Sequence, residues 1–209
     1  MHIDHGRADA YAPHWRLAPL WSRAGDRLLL SVNVDGRFVV HEIDVAKGSA
    51  RPLHDDGSSR RAVGWRRDGA VVSLDERAWA PPDLFAHAPD GSATRLTSSG
   101  HAAFREGHMA RVERVALRAS DGVSLAGFLL TPTTGGGPRP ALLALHTNSY
   151  GQFYDHWAPF YHYLAQSGYV VLQVDQRGSS GYGRAFRDLA IGTWGTRTSD
   201  DVTDAAAWL

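Results

Sequence analysis

The chain has 209 residues, 43% of them hydrophobic and 21% charged, and its 22 basic and 22 acidic side chains cancel to a formal net charge of zero. That balance gives no electrostatic reason to expect a nucleic acid or an anionic membrane as partner, and the apolar share is that of a globular chain with a sizeable core. The absence of cysteine excludes a disulfide framework, a thiolate zinc site and a thiol nucleophile.

The first fifteen residues, MHIDHGRADAYAPHW, hold no apolar stretch of signal-peptide type, and no apolar run approaches the length of a transmembrane helix. A cytoplasmic location is the default expectation, unless a further N-terminal segment carries a signal. Lys47 stands alone against 21 arginines, which reads as compositional bias rather than arginine-specific recognition.

Residues 21–96 contain a repeat with a period of about 43 residues, the size of a β-propeller blade. Trp21-Ser-Arg-Ala-Gly25 returns as Trp65-Arg-Arg-Asp-Gly69, each followed by an apolar run, Leu28–Leu30 and Val71–Val72. Gly48-Ser-Ala-Arg-Pro-Leu53 returns as Gly91-Ser-Ala-Thr-Arg-Leu96, each preceded by a strand-like run, Phe38–Val45 and Asp83–Ala88. The pairs Asp35-Gly36, Asp68-Gly69 and Asp90-Gly91 supply tight turns between antiparallel strands. Each repeat thus predicts a four-stranded blade, with Trp21 and Trp65 equivalent. A ring needs about 4–8 blades to close, so two blades imply a larger propeller; an ordinary two-sheet β domain with an accidental repeat is the alternative.

From Arg111 the pattern changes. Val112, Val115 and Leu117 alternate up to Asp121-Gly122, then Val123, Leu125 and Phe128–Leu130 follow, the signature of a hairpin. A glycine-rich loop, Thr133–Pro138, separates it from Ala141–His146, an apolar run of buried-strand length. A helix is expected over Ala158–Gln166 with Gly168 as its C-terminal cap, then the apolar strand Tyr169–Val174 and a helix opening near Ser199. Unbroken apolar strands alternating with helices predict a parallel sheet covered on both faces.

His146 ends one strand and Asp175 the next, and in parallel sheets ligands bind beyond the carboxyl ends of strands. The loop Asp175-Gln-Arg-Gly-Ser-Ser-Gly-Tyr-Gly183 has glycines for tight folding and, in Arg177, a planar fork able to pin carboxylates. Its expected job is to scaffold a site. No serine lies in a G-x-S-x-G elbow; Ser180 has Gly178 before it but Tyr182 where the second glycine belongs. The eleven histidines show no compact metal-ligand spacing. Asp155, His156 and His162 are near in sequence, but solvated loop and helix-face positions are the expected reading. Asp200, Asp201 and Asp204 fit an acidic first helical turn favoured by the helix dipole.

Taken together, Pro140–His146, Gly168–Phe186, Gly192–Gly195 and Ser199–Leu209 resemble the prolyl oligopeptidase family of serine peptidases. The nine positions from Asp175 to Gly183 fit most closely, and Ser120–Pro132 resembles the family's leading hairpin. The resemblance implies a fold in two parts: residues 1–110 as the C-terminal blades of an incomplete propeller, and residues 111–209 as the N-terminal part of an α/β-hydrolase domain with a parallel sheet and flanking helices. It implies hydrolysis of short peptides by a Ser-His-Asp triad beyond Leu209, with no cofactor or metal and no nucleic acid or membrane partner; oligomeric state is left open. His146 falls where the family begins a His-Gly-Gly-Pro turn whose backbone N–H groups serve the oxyanion. This chain reads His146-Thr147-Asn148-Ser149-Tyr150 instead, so His146, Thr147, Asn148 and Tyr150 become the oxyanion and substrate candidates, and Asp175, Arg177, Gly178 and Tyr182 the scaffold. Two other readings stay open: an esterase or other acyl hydrolase on the same scaffold, and a non-catalytic interaction protein.

Overall fold

The computed structural model describes residues 18–53, 55–100, 109–146 and 151–209. Its first part consists of two antiparallel meanders. Strands β1 (Leu20–Trp21), β2 (Arg27–Val34), β3 (Arg37–Asp44) and β4 (Ser49–Pro52) pair in chain order, as do β5 (Ser59–Trp65), β6 (Val71–Arg77), β7 (Ala80–His87) and β8 (Ala93–Arg95). Each predicted Asp-Gly pair lies between two consecutive strands of its sheet. At the β2–β3 tip, Asp35 (φ 50°) and Gly36 (φ 77°) both take the left-handed conformation that lets a two-residue turn follow the twist of its strands.

Both repeat tryptophans end the first strand of their sheet and pair with the second: Trp21 with Leu28, Trp65 with Val71. Their surroundings differ. Trp65 faces the first sheet, where its indole N–H donates to the Leu20 carbonyl at 3.1 Å and the Arg27 guanidinium sits 4.6 Å from its ring centre. Trp21 has no described sheet on its side and is 58% exposed. The two sheets share a core of Leu29, Val40, Leu53 and Val71, flanked by Leu20, Ala62 and Trp65. They are stitched further by the Ala62 N–H donating to Ser31 Oγ.

The second part is a four-stranded sheet ordered β11-β12-β10-β9, from β9 (Arg111–Arg118), β10 (Ser124–Thr131), β11 (Ala141–Ala144) and β12 (Val170–Asp175). It is mixed, which corrects the expectation of a parallel sheet. Only β11 and β12 run parallel; β9 and β10, and β10 and β12, are antiparallel. The connections explain the difference. A tight Asp121-Gly122 turn can only return the chain antiparallel, whereas the crossover through α1 (Pro159–Gln166) brings β12 back parallel to β11.

Helices cover both faces at the centre of this sheet. Phe128, Leu130 and Val171 pack with Ala165 of α1 on one side. Leu125, Leu172 and Val174 pack with Ala205 of α3 (Arg197–Trp208) on the other. The short α2 (Arg184–Asp188) lies between β12 and α3 in sequence. Strand β11 is different. It is an edge strand and only partly covered: Leu142 is exposed, while Leu143 and Ala144 pack half-buried against the two cores, one on each side. As expected, Gly168 (φ 100°) closes α1, its N–H donating to the Ala165 carbonyl.

The two parts meet along a seam of hairpin tips. The Gly36 carbonyl at the β2–β3 tip accepts from the Asp155 N–H at 2.7 Å, and Phe38 meets Tyr154 edge to face. At the β6–β7 tip, Ala78 is held from both sides: its N–H donates to Asp155 Oδ1 at 2.9 Å and its carbonyl accepts from His162 Nε2 at 2.6 Å. The Trp157 N–H donates to Glu76 Oε2. Asp155 and His162 are therefore seam residues rather than solvated ones, and His162 is 1% exposed. Burial pushes the Glu76 and Asp155 carboxyls above their ordinary range and the His162 imidazole below its own.

Candidate active site

The parallel register of β11 and β12, with Ala144 beside Gln173, puts the ends of both strands at one edge of the sheet. His146 leaves the first and Asp175 ends the second. Thr147, Asn148, Ser149 and Tyr150 lie outside the described residues.

Asp175 is wholly buried and is the hub of this edge. One carboxylate oxygen accepts from the Phe153 N–H at 2.7 Å and lies 3.5 Å from His146 Nε2; the other accepts from the Tyr182 hydroxyl at 2.7 Å. Burial raises its carboxyl above the ordinary value, and the His146, Tyr182 and Phe153 hydrogen bonds oppose that rise. The Tyr182 phenol is pushed up as well, first by burial and then by the neighbouring carboxylate. His146 Nε2 is 2.9 Å from Ser179 Oγ, and Ser179 in turn donates to the Gln176 carbonyl at 2.6 Å. With that hydroxyl proton committed, Ser179 accepts from the imidazole N–H.

The loop after β12 is pinned from a second direction by Arg177. Its Nε and terminal NH2 grip the Asp201 carboxylate as a fork at 2.6–3.0 Å, its backbone N–H donates to the same carboxylate at 2.8 Å, and its other terminal nitrogen reaches Asp121 at 2.9 Å. These hydrogen bonds raise the guanidinium pKa and hold the Asp121 carboxyl below its usual value. The fork ties the loop to α3 and to the β9–β10 turn at once. Gly178, Gly181 and Gly183 all take positive φ, and at Gly181 the vacancy is used: a Cβ there would stand 2.2 Å from Gln152 Nε2.

The acidic trio of α3 does three different things. Asp200 lies in the first turn, Asp201 is buried against Arg177, and Asp204 accepts from both the N–H and the hydroxyl of Ser120. The dipole reading therefore holds for Asp200 and is corrected for Asp201 and Asp204. Ser179 and Ser180 are buried, and the first is engaged with His146 and Gln176. Among the described residues no three His, Asp or Glu side chains gather as a metal site, and no helix is long and apolar enough to cross a membrane.

Sequence reasoning did not find Gln152, Phe153 or Asn33. Gln152 pairs with Asn33 of β2, 119 positions away, and Phe153 contributes a backbone N–H. No local pattern signals either. Asp121 could have been found, since an Asp in a turn beside a sheet edge is a natural partner for an arginine expected to pin carboxylates.

Comparisons with known proteins agree with this geometry. Residues 157–209 match the family model described as "Prolyl oligopeptidase family". The chain is 27% identical over 152 residues to dipeptidyl aminopeptidase BIII of Pseudoxanthomonas mexicana, an overlap covering 65% of this chain and 22% of the relative. It is 30% identical over 130 residues to the uncharacterized peptidase YuxL of Bacillus subtilis, covering 60% and 19%. The fold is similar to that of the Pyrococcus horikoshii acylaminoacyl peptidase, with a TM-score of 0.75 at 21% identity over 89% of this chain and 29% of that one. A puromycin-hydrolyzing peptidase of Mycobacterium tuberculosis gives 0.73 at 19% identity over 91% and 30%. The chain thus spans about a fifth of the length of these curated relatives. The C-terminal quarter of the chain is thus similar to the prolyl oligopeptidase family, and most of its length shares the fold of the acylaminoacyl peptidase.

Proposed function

We propose that this chain is the junction region of a serine peptidase that hydrolyses short peptides. In this reading residues 1–110 are blades of a β-propeller and residues 111–209 are the first part of an α/β-hydrolase domain. The triad serine, aspartate and histidine lie outside these 209 residues. The observation that carries it is the meeting of two things at one edge: the carboxyl ends of β11 and β12, and the hairpin tips of both meanders docked on the segment between those strands. A site at that edge would be roofed by the blades, which restricts access to small substrates.

The residues divide by task. His146 follows the end of β11, and the residues next to it in sequence, Thr147, Asn148 and Tyr150, are the proposed source of N–H groups or a side-chain donor for a developing oxyanion, a contribution of about 3–4 kcal/mol to the barrier for a well-aimed donor. Asp175, Arg177, Gly178 and Tyr182 hold that edge rigid and do not touch substrate. The relatives' own descriptions, a dipeptidyl aminopeptidase and an acylaminoacyl peptidase, support peptide bonds as the target class. No cofactor enters the chemistry, and the protein is expected in the cytoplasm.

The test is the ratio of kcat/KM for short peptidyl anilides to that for matched p-nitrophenyl esters in the full-length protein, in wild type and Asn148→Ala. Peptidase action predicts efficient anilide cleavage. It also predicts a kcat about 100-fold lower in Asn148→Ala at little-changed KM if the side chain serves the oxyanion, because that contact strengthens only as charge develops. Turnover of esters alone would replace the peptidase reading with an esterase.

A further inference from the structure

The Asp175 cluster is connected to the first meander by a continuous line of side-chain hydrogen bonds. Asn33, on β2 just before the hairpin tip, donates through Nδ2 to Gln152 Oε1 at 2.6 Å, and Gln152 Nε2 is 3.3 Å from Asn33 Oδ1. The Gln152 amide also hydrogen-bonds Tyr182. Tyr182 donates to Asp175, and Asp175 faces His146. Asn33 and Gln152 pair reciprocally through their amides, and from Tyr182 the donation runs to the Asp175 carboxylate, so the members orient one another.

Three further features adjoin this line. Gly181 leaves the space in which the Gln152 amide lies, since a Cβ there would collide with it. Gly36, at the tip of the same hairpin as Asn33, approaches Tyr182 and Phe128 so closely that a Cβ would stand 3.4 Å from the Tyr182 hydroxyl and 3.2 Å from the Phe128 ring. The neighbouring Phe153 N–H completes the Asp175 shell from the segment that also carries Gln152. The hairpin is thus linked to Tyr182 by hydrogen bonds through Gln152 and by close approach of Gly36, and Tyr182 is linked to His146 by Asp175.

We propose that Asn33 and Gln152 are positioning residues that transmit the seating of the β2–β3 hairpin to His146 through Tyr182 and Asp175, so that the site edge is fully formed only when the blade is docked. The catalytic consequence rests on the function proposed above; the structural coupling does not. Interdomain packing that merely held the parts together would stabilise the protein without selecting this path.

The experiment uses the full-length protein with Asn33→Ala, Tyr182→Phe and the double variant. Each single change is expected to lower kcat about tenfold with KM within about twofold, as for a misaligned site. The double variant is expected to equal the worse single one, because both cut the same line. Losses that multiply in the double variant would overturn the proposal. Independently of activity, the His146 ring signal in 13C-histidine-labelled protein, assigned by its loss in His146→Gln, should shift in both single variants. An unmoved signal would also overturn it. If the wild type cleaves no peptide, the functional reading falls, and the histidine signal alone still decides the coupling. Asn33→Ser supplies the same comparison should Asn33→Ala fold poorly.

Discussion

Replacing Arg177 with methionine is expected to destabilise the protein by about 3–5 kcal/mol, the usual cost of stripping one partner from a buried ion pair. The size follows from what remains. Asp201 is wholly buried and would keep only the single backbone N–H of residue 177 from the set that now surrounds it. Arg177 has the same problem in reverse if Asp201→Ala is made, since Asp121 alone would face a guanidinium that is 5% exposed. The control is the double variant Arg177→Met with Asp201→Leu. Removing both charges leaves no orphan, so most of the loss should return. Urea unfolding of the three variants, followed by far-UV circular dichroism, measures this; a single variant as stable as wild type would show that the fork contributes nothing. Asp121→Asn should cost far less, because Asp121 lies in the exposed β9–β10 turn and the fork to Asp201 survives.

Gly127→Ala is expected to destabilise the protein at the upper end of overpacking costs, about 3 kcal/mol. Gly127 sits in β10 opposite Val174 of β12. A Cβ at this position would stand 2.4 Å from the Gln173 carbonyl oxygen, which is backbone and cannot swing aside. Relief requires the two central strands of the sheet to part, and β12 carries Asp175 at its end. Loss of stability should therefore be accompanied by loss of the site. Gly136→Ala in the glycine-rich loop that follows β10, where nothing lies within 4 Å of the added carbon, is the matched control and should be silent. Comparable melting temperatures for the two variants would contradict the register assigned to β10 and β12.

Much of this fold is readable in the chain because its information is local. Alternating apolar residues and Asp-Gly turns mark the meanders, and the tight turn at Asp121-Gly122 marks the β9–β10 hairpin, all decided within a few residues. The apolar run of β11 misleads for a physical reason: composition records that a strand is suited to burial, whereas Leu142 is exposed because no described strand pairs beyond β11. Asp201 misleads in another way. A cluster of aspartates at a helix start satisfies the dipole argument, yet this carboxylate answers to Arg177, 24 positions earlier, and long-range pairing outweighs the dipole once both groups are buried. The seam was illegible for the same reason. Asn33 and Gln152, and Ala78 and His162, are paired across the chain by docking of hairpin tips, and no spacing rule connects them. Asp175 and Arg177 could be recognised as scaffold types, but their partners could not be named before the sheet brought them together.

The nucleophile is expected outside these residues, and active-site labelling tests that most directly. The full-length protein should react with a fluorophosphonate serine probe. Peptide mapping by mass spectrometry should then find a single labelled serine, set in a Gly-x-Ser-x-Gly sequence, with Ser149, Ser179 and Ser180 unmodified. Ser179 has its proton committed to the Gln176 carbonyl and no exposure to an electrophile. Label on Ser149, Ser179 or Ser180, or a full-length protein that takes no label while folded, would contradict the serine-peptidase account at its centre.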